Sequence, residues 1–506
     1  MPANTSWMLL SGGIMKNKIL SILLYIFTFL FLIYPTSYGI SDLKVVFTFA
    51  VILILVIFLY KKVKIFQKIH INEKFYPWII LVLAIATRIG IVLLFESHII
   101  QVSDFGGAFS ASNTLNFSSD YHRVFTHWIL YPTLIHGIYQ IFGSSQLVAL
   151  LTSAVILIVA SILVYKVSSL LFKNKTAGFV SALLYIFWPS NILYTLIFTQ
   201  EHICLLLLLI VLYLFLIIEN KEDLKLSIKN VILLLLIGIC LGLSTFFKNF
   251  APAFIIAFII YYFLKGFTEK NIKKYTLMKL GTIVIILIGF ITTKNLVFIG
   301  IDHLAGHPVA RNITPCYLNV GLNTNGTYNA GIYNEYFNAV KENDYDYDKA
   351  NDEIMDLLKK RLSDKNASIW QEDFFDNKAK IIFGNDEAKI FWVVSSINAK
   401  GTMQITNFIE NDYKDWNNNY FIILVTLMSL GLISMNKNKD LKKFLLYLVL
   451  FGSLLLLLLV EAQNRYMYAV QPIICILATG GLFDLIKYWE VKNEKIRKTN
   501  KSEALD

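Results

Sequence analysis

Uninterrupted apolar runs of about 16 to 22 residues recur along this chain, and they limit its fold more than any other feature. A helix rising about 1.5 Å per residue needs about 20 residues to cross about 30 Å of hydrocarbon. In lipid, each backbone polar group must find its partner within the element, so such runs become helices. A closed β-barrel would instead show short alternating segments. The 506 residues are 56% hydrophobic and 16% charged. Soluble domains lie nearer a quarter charged. The chain therefore reads as an all-α polytopic membrane protein.

About twelve spans are expected, roughly at 19–34, 45–60, 78–95, 146–165, 177–193, 202–218, 231–246, 252–264, 277–297, 420–434, 444–460 and 466–486. The first run lacks a small-residue cleavage site and is read as a retained helix. The net charge of +11 does not point to nucleic acid. The lysines cluster in alternate short loops and in the tail, as a positive-inside bias places them. Lys61–Lys64, Lys173–Lys175, Lys221–Lys229, Lys265–Lys274, Lys437–Lys443 and Lys487–Lys501 are then cytoplasmic, and so are both termini. Cys204, Cys240 and Cys475 fall in apolar runs and Cys316 in a polar segment, with no disulfide or metal-type spacing.

This topology divides the chain into five parts. Residues 1–76 hold two helices and a basic loop. Residues 77–297 form a transmembrane core with a first outer loop at 96–145. Residues 298–418 form an extracytoplasmic mixed α domain, 419–487 the last helices, and 488–506 a basic tail. Within the first loop, Phe125–Pro132 resembles an interfacial helix. The acidic run Glu342–Asp348 is read as a solvated loop. No internal repeat is visible, which weakens a transporter built of related halves.

Charges beside a span are costly and need a reason. Asp104, Glu201, Lys248, Lys294, Glu461 and Arg465 all fall at the outer ends of helices, and Arg88 lies inside the third run. Snorkelling or local pairing explains any one of them. Glu461 and Arg465, four apart, could pair with each other. The whole set suits a lipid-linked phosphate at interfacial depth, with carboxylates serving as a base or as a ligand for a divalent ion. His127 on a half-apolar helix is more often structural. No Gly-rich phosphate loop, HExxH or serine elbow is present, which argues against a nucleotide donor.

The order of features resembles the GT-C superfamily of integral membrane glycosyltransferases. It is most similar to family 39, the polyprenyl-phosphate-mannose protein mannosyltransferases and the aminoarabinose transferases. The resemblance spans most of 78–486. It rests on Arg88 followed by Ser103-Asp104-Phe105, on Thr126–Gly143, on Trp188-Pro189-Ser190 through Tyr194 to Gln200-Glu201, on Thr293-Lys294-Asn295, and on Arg465-Tyr466 with Pro472. The chain departs from the family where Phe105 follows Asp104 in place of a second acid, where Lys248 and Lys294 stand for arginines, and in two added N-terminal helices.

The resemblance implies transfer of a sugar from a polyprenyl phosphate to an extracytoplasmic glycan, lipid or protein, with inversion. Asp104 is then the candidate general base. Lys248, Lys294 and Arg465 are candidates for binding the donor phosphate. Glu201 is the second acid or ligand of a divalent metal, and His127, Arg88 and Tyr466 are further candidates. A Lys-, Asn-, Ile- and Phe-rich composition suggests a bacterial plasma-membrane protein. Two other readings are an O-antigen-type polymerase or ligase, relying on His303, His307, Arg311 and Arg361, and a lipid-glycan flippase.

Overall fold

The computed structural model describes residues 17–27, 31, 72–221, 227–267, 269, 271–401, 403–435 and 439–502. Most of these residues are helical, and none of them forms a strand. The expected span at 45–60 and its basic loop lie outside them. The apolar runs form the following helices: α1 (Tyr76–Phe95), α4 (Gln146–Phe172), α5 (Lys175–Ile186), α7 (Glu201–Glu219), α8 (Ile228–Ser244), α9 (Ala251–Gly266), α10 (Ile272–Ala305), α15 (Lys414–Met435), α16 (Leu441–Leu459) and α17 (Gln471–Ser502). Between them lie α2 (Ser103–Thr114), α3 (His127–Phe142) and α6 (Pro189–Tyr194). Four helices of the long polar segment are α11 (Ala330–Glu342), α12 (Tyr347–Ser363), α13 (Phe374–Phe383) and α14 (Ala388–Asn398). Seven described helices are long and apolar enough to cross a membrane, and four shorter ones are apolar.

Two boundaries differ from the apolar pattern. The run at 177–193 is two helices, because Pro189 cannot continue the first and holds Trp188 extended (ψ 114°). The run ending near residue 297 continues as helix to Ala305, beyond the last strongly apolar stretch.

Helices in lipid associate by close packing, because acyl chains are as apolar as leucine. Glycine allows two of these approaches. A Cβ on Gly238 of α8 would lie 2.2 Å from the Ile286 carbonyl oxygen of α10. One on Gly481 of α17 would lie 1.7 Å from the Leu427 oxygen of α15.

A buried polar knot ties the polar segment to the bundle. Asp386 accepts hydrogen bonds from Trp188 (2.8 Å), Ser190 (2.5 Å) and Gln471 (2.8 Å) and faces Lys389 at 3.0 Å. Lys389 also donates to Asn191 (2.5 Å) and Gln471 (2.6 Å). Burial pushes Lys389 down to about 8, although Asp386 pulls it the other way. Breaking such a pair leaves a charge uncompensated, typically at a cost of about 3–5 kcal/mol. Lys389→Ala should therefore lose about that much stability against thermal unfolding in detergent, with early proteolysis of 374–398. A change under about 1 kcal/mol would show that the knot is dispensable.

Candidate functional site

Asp104 begins α2, and three features fix its position. Ser103 before it takes the left-handed region (φ 51°), a conformation costly for a residue with a Cβ. Buried Gln101 donates to the Leu196 oxygen (3.0 Å) and accepts from the Phe198 amide (2.9 Å), binding this loop to the strand of chain that leads to Glu201. The Ile100 amide bonds to the Ser396 oxygen (3.0 Å) at the end of α14. The Asp104 side chain remains 44% exposed.

Opposite it stands Arg465. Its Nη2 lies 3.8 Å from the Asp104 carboxylate, and its side chain is only 8% exposed. The guanidinium is walled by three rings: Phe105 at 5.1 Å, Trp392 at 4.9 Å and Tyr466 at 5.4 Å. Cation–π contacts of this kind strengthen where water is excluded. Among the described residues, Nε and Nη1 of Arg465 are buried without a hydrogen-bond partner, and so is Trp128 Nε1 nearby.

Lys248 also lies against the Tyr466 ring, 3.3 Å from its centroid and 3.7 Å from Glu201. Glu201 is buried and accepts from the Tyr194 hydroxyl at 2.9 Å. Burial pushes Lys248 down to about 8, with Arg465 adding to the effect and Glu201 opposing it. Burial also pushes His127 down to about 3, helped by the charges of Lys248 and Arg465, so its imidazole is neutral at physiological pH. Burial raises the Tyr121 hydroxyl, with the Asp104 charge contributing.

The structure thus gathers Asp104, Glu201, Lys248, Arg465, Tyr466 and His127. It leaves two expected residues outside. Arg88 is fully buried and donates to the backbone oxygens of Asn191 and Tyr185 (3.4 Å for the latter), so it stitches α1 to α5 and α6. Lys294 instead lines a groove on α10 with Arg311. The pairing of Glu461 with Arg465 does not form either. The chain is extended at Val460 (ψ −174°), so a helical four-residue spacing does not apply. Glu461 accepts from Tyr333 (2.6 Å) and Gln463. Arg311 meets Asp302, and Arg361 forks onto Glu335. Asp346 in the acidic run caps α12 through the Lys349 amide.

Among the described residues, no three His, Cys, Asp or Glu side chains gather as ligands to a metal would. Glu201 gives its oxygens to Tyr194 and Lys248, so these residues do not fit a protein-built metal cage.

Residues 126–293, about a third of the chain, match the model of the dolichyl-phosphate-mannose-protein mannosyltransferase family. The matched stretch carries His127, Glu201 and Lys248 and ends at Thr293, before Lys294. No curated protein matches this chain. Among solved structures, it is similar to the archaeal oligosaccharyltransferase AglB from Archaeoglobus fulgidus in complex with an inhibitory peptide and a dolichol-phosphate. That match has 13% identity and a TM-score of 0.47, covering 86% of this chain and 52% of that one. The apo form of the Archaeoglobus fulgidus enzyme gives 14%, 0.45, 85% and 52%. The chain spans about half the length of these structures.

Sequence reasoning missed the rings around Arg465 and the Asp386–Lys389 knot. A signal for the knot was present: Lys389 sits on the same helical stripe as Val393 and Ile397, where an unpaired charge is not tolerated.

Proposed function

We propose that the protein moves a sugar from a polyprenyl-phosphate carrier to a glycan, lipid or protein acceptor. Transfer would take place on the extracytoplasmic face of a bacterial plasma membrane, with 298–418 as the outer domain. The observation that carries this reading is the Arg465 guanidinium. Its Nε and Nη1 are buried without a hydrogen-bond partner among the described residues, its Nη2 lies 3.8 Å from Asp104, and it shares the ring of Tyr466 with Lys248. A phosphate oxygen is the ligand that best satisfies such donors, because charge-assisted bonds to guanidinium are strong and directional. The family description, which names a lipid-phosphate sugar donor, supports the same chemistry.

In the proposed reaction the acceptor hydroxyl attacks the anomeric carbon. Asp104 takes the hydroxyl proton as the new C–O bond forms. The bond from the anomeric carbon to the phosphate oxygen breaks, and polyprenyl phosphate leaves with the electron pair. Arg465 and Lys248 stabilise the charge that builds on the leaving group. A single displacement inverts the anomeric centre. Glu201 and Tyr194 hold Lys248 in place, Tyr466 separates the two cations, and neutral His127 and Trp128 offer uncharged hydrogen bonds.

Two outcomes test this. Asp104→Asn in membranes supplied with a lipid-linked sugar should slow transfer by about 10²- to 10⁴-fold, with little change in donor binding. Transfer within about threefold of wild type would remove the base assignment. The second outcome concerns pH. Lys248 is charged below about 8 and neutral above, so kcat/KM for the donor should fall as pH rises through about 8. In Lys248→Arg that fall should disappear, because guanidinium keeps its proton. An identical alkaline limb in the two proteins would contradict the clamp role of Lys248.

A further inference from the structure

Lys294 was expected beside Arg465 but lies on a different surface. It stands on α10 in a groove of about 550 Å³, lined also by Ile291, Asn295, Phe298 and Arg311. Lys294 and Arg311 both lie over the ring of Phe298, at 5.9 Å and 4.6 Å from its centroid. Arg311 is held there by Asp302, whose carboxylate also caps the Val309 amide at 3.0 Å. Two cations and one carboxylate leave the groove with one uncompensated positive charge, and the Asn295 amide stands beside it. Two guanidinium or ammonium groups converging on one ring define a fixed anion site.

The groove does not end in open surface. Leu280, Val284, Ile288 and Ile291 follow one another at three- or four-residue spacing and are exposed along the same helix, with Ile299 exposed eight residues further on. A polar anchor at the head of an apolar stripe matches one ligand shape, a charged headgroup with hydrocarbon tails.

We propose that the Lys294–Arg311 groove binds the headgroup of an anionic phospholipid from the surrounding bilayer, with its acyl chains along the exposed face of α10. The phosphodiester lies between the two cations and accepts from Asn295. The charge complementarity and the continuous apolar stripe carry the assignment, and it does not depend on the transfer reaction proposed above. Its consequence is a bilayer anchor at the outer end of α10. Through the ring contact of Phe246 with Phe298 (4.8 Å), that end meets the loop that carries Lys248.

The test is native mass spectrometry of the full chain in detergent, titrated with dioleoylphosphatidylglycerol or dioleoylphosphatidylcholine. The phosphatidylglycerol should be retained preferentially. Lys294→Gln and Arg311→Gln should each weaken its binding about fivefold, and Lys294→Arg should restore it. Among the described residues Lys294 has no ion-pair partner, so its variants keep the test valid if Arg311→Gln unfolds. Equal retention of the two lipids, or unchanged binding in Lys294→Gln, would overturn the proposal. So would displacement of phosphatidylglycerol by inorganic phosphate, which would make this a free-anion site. Displacement at equimolar undecaprenyl phosphate would assign the groove to the sugar carrier and overturn it as well.

Discussion

A guanidinium buried with two of its nitrogens unmatched governs the site end of this bundle. Each buried donor without a partner costs about 1–3 kcal/mol, so such an arrangement persists only where packing over-determines it. Phe105, Trp392 and Tyr466 supply that packing from α2, α14 and the start of the last span. Rings attract the cation through their faces and leave its N–H edges free.

The rest of the fold can be read as support for that group. Trp392 is useful only if α14 stays against the bundle, and the Asp386–Lys389 knot holds it there through Trp188, Ser190, Asn191 and Gln471. Arg88 braces the same stretch from below by bonding the Asn191 carbonyl. Gln101 joins the Asp104 loop to the chain that introduces Glu201. The first loop is also tied to the polar segment by Asp120, which meets Lys341 at 3.0 Å and Tyr345 at 2.9 Å. Those bonds hold its carboxyl below the usual range. Elements far apart in the chain thus converge on one cluster of side chains.

Much of this was legible in the sequence, because membrane helices write themselves as length and hydropathy. The charged residues at helix ends were legible too, since lipid makes each one conspicuous. Asp104, Glu201, Lys248 and Arg465 do meet. Lys294 looked equivalent to them but points to a different side of its helix, and sequence position gives depth without direction. Arg88 is as conspicuous as Arg465, yet the carbonyls freed near Pro189 claim it. Those carbonyls became visible only when the run at 177–193 proved to be two helices. The partner of Glu461 depended on an extended turn at Val460, and the knot on residues about 200 positions apart, such as Trp188 and Asp386. Neither has a local signature.

The central claim is that the free edge of Arg465 is reserved for the carrier's phosphate. The most direct measurement is the affinity of sugar-free undecaprenyl phosphate for the purified protein and for Arg465→Lys, which keeps the charge but loses the fork. The account predicts weakening of about tenfold or more, the worth of a charged hydrogen bond of about 1.5–3 kcal/mol. Equal affinity in a folded Arg465→Lys protein would contradict it.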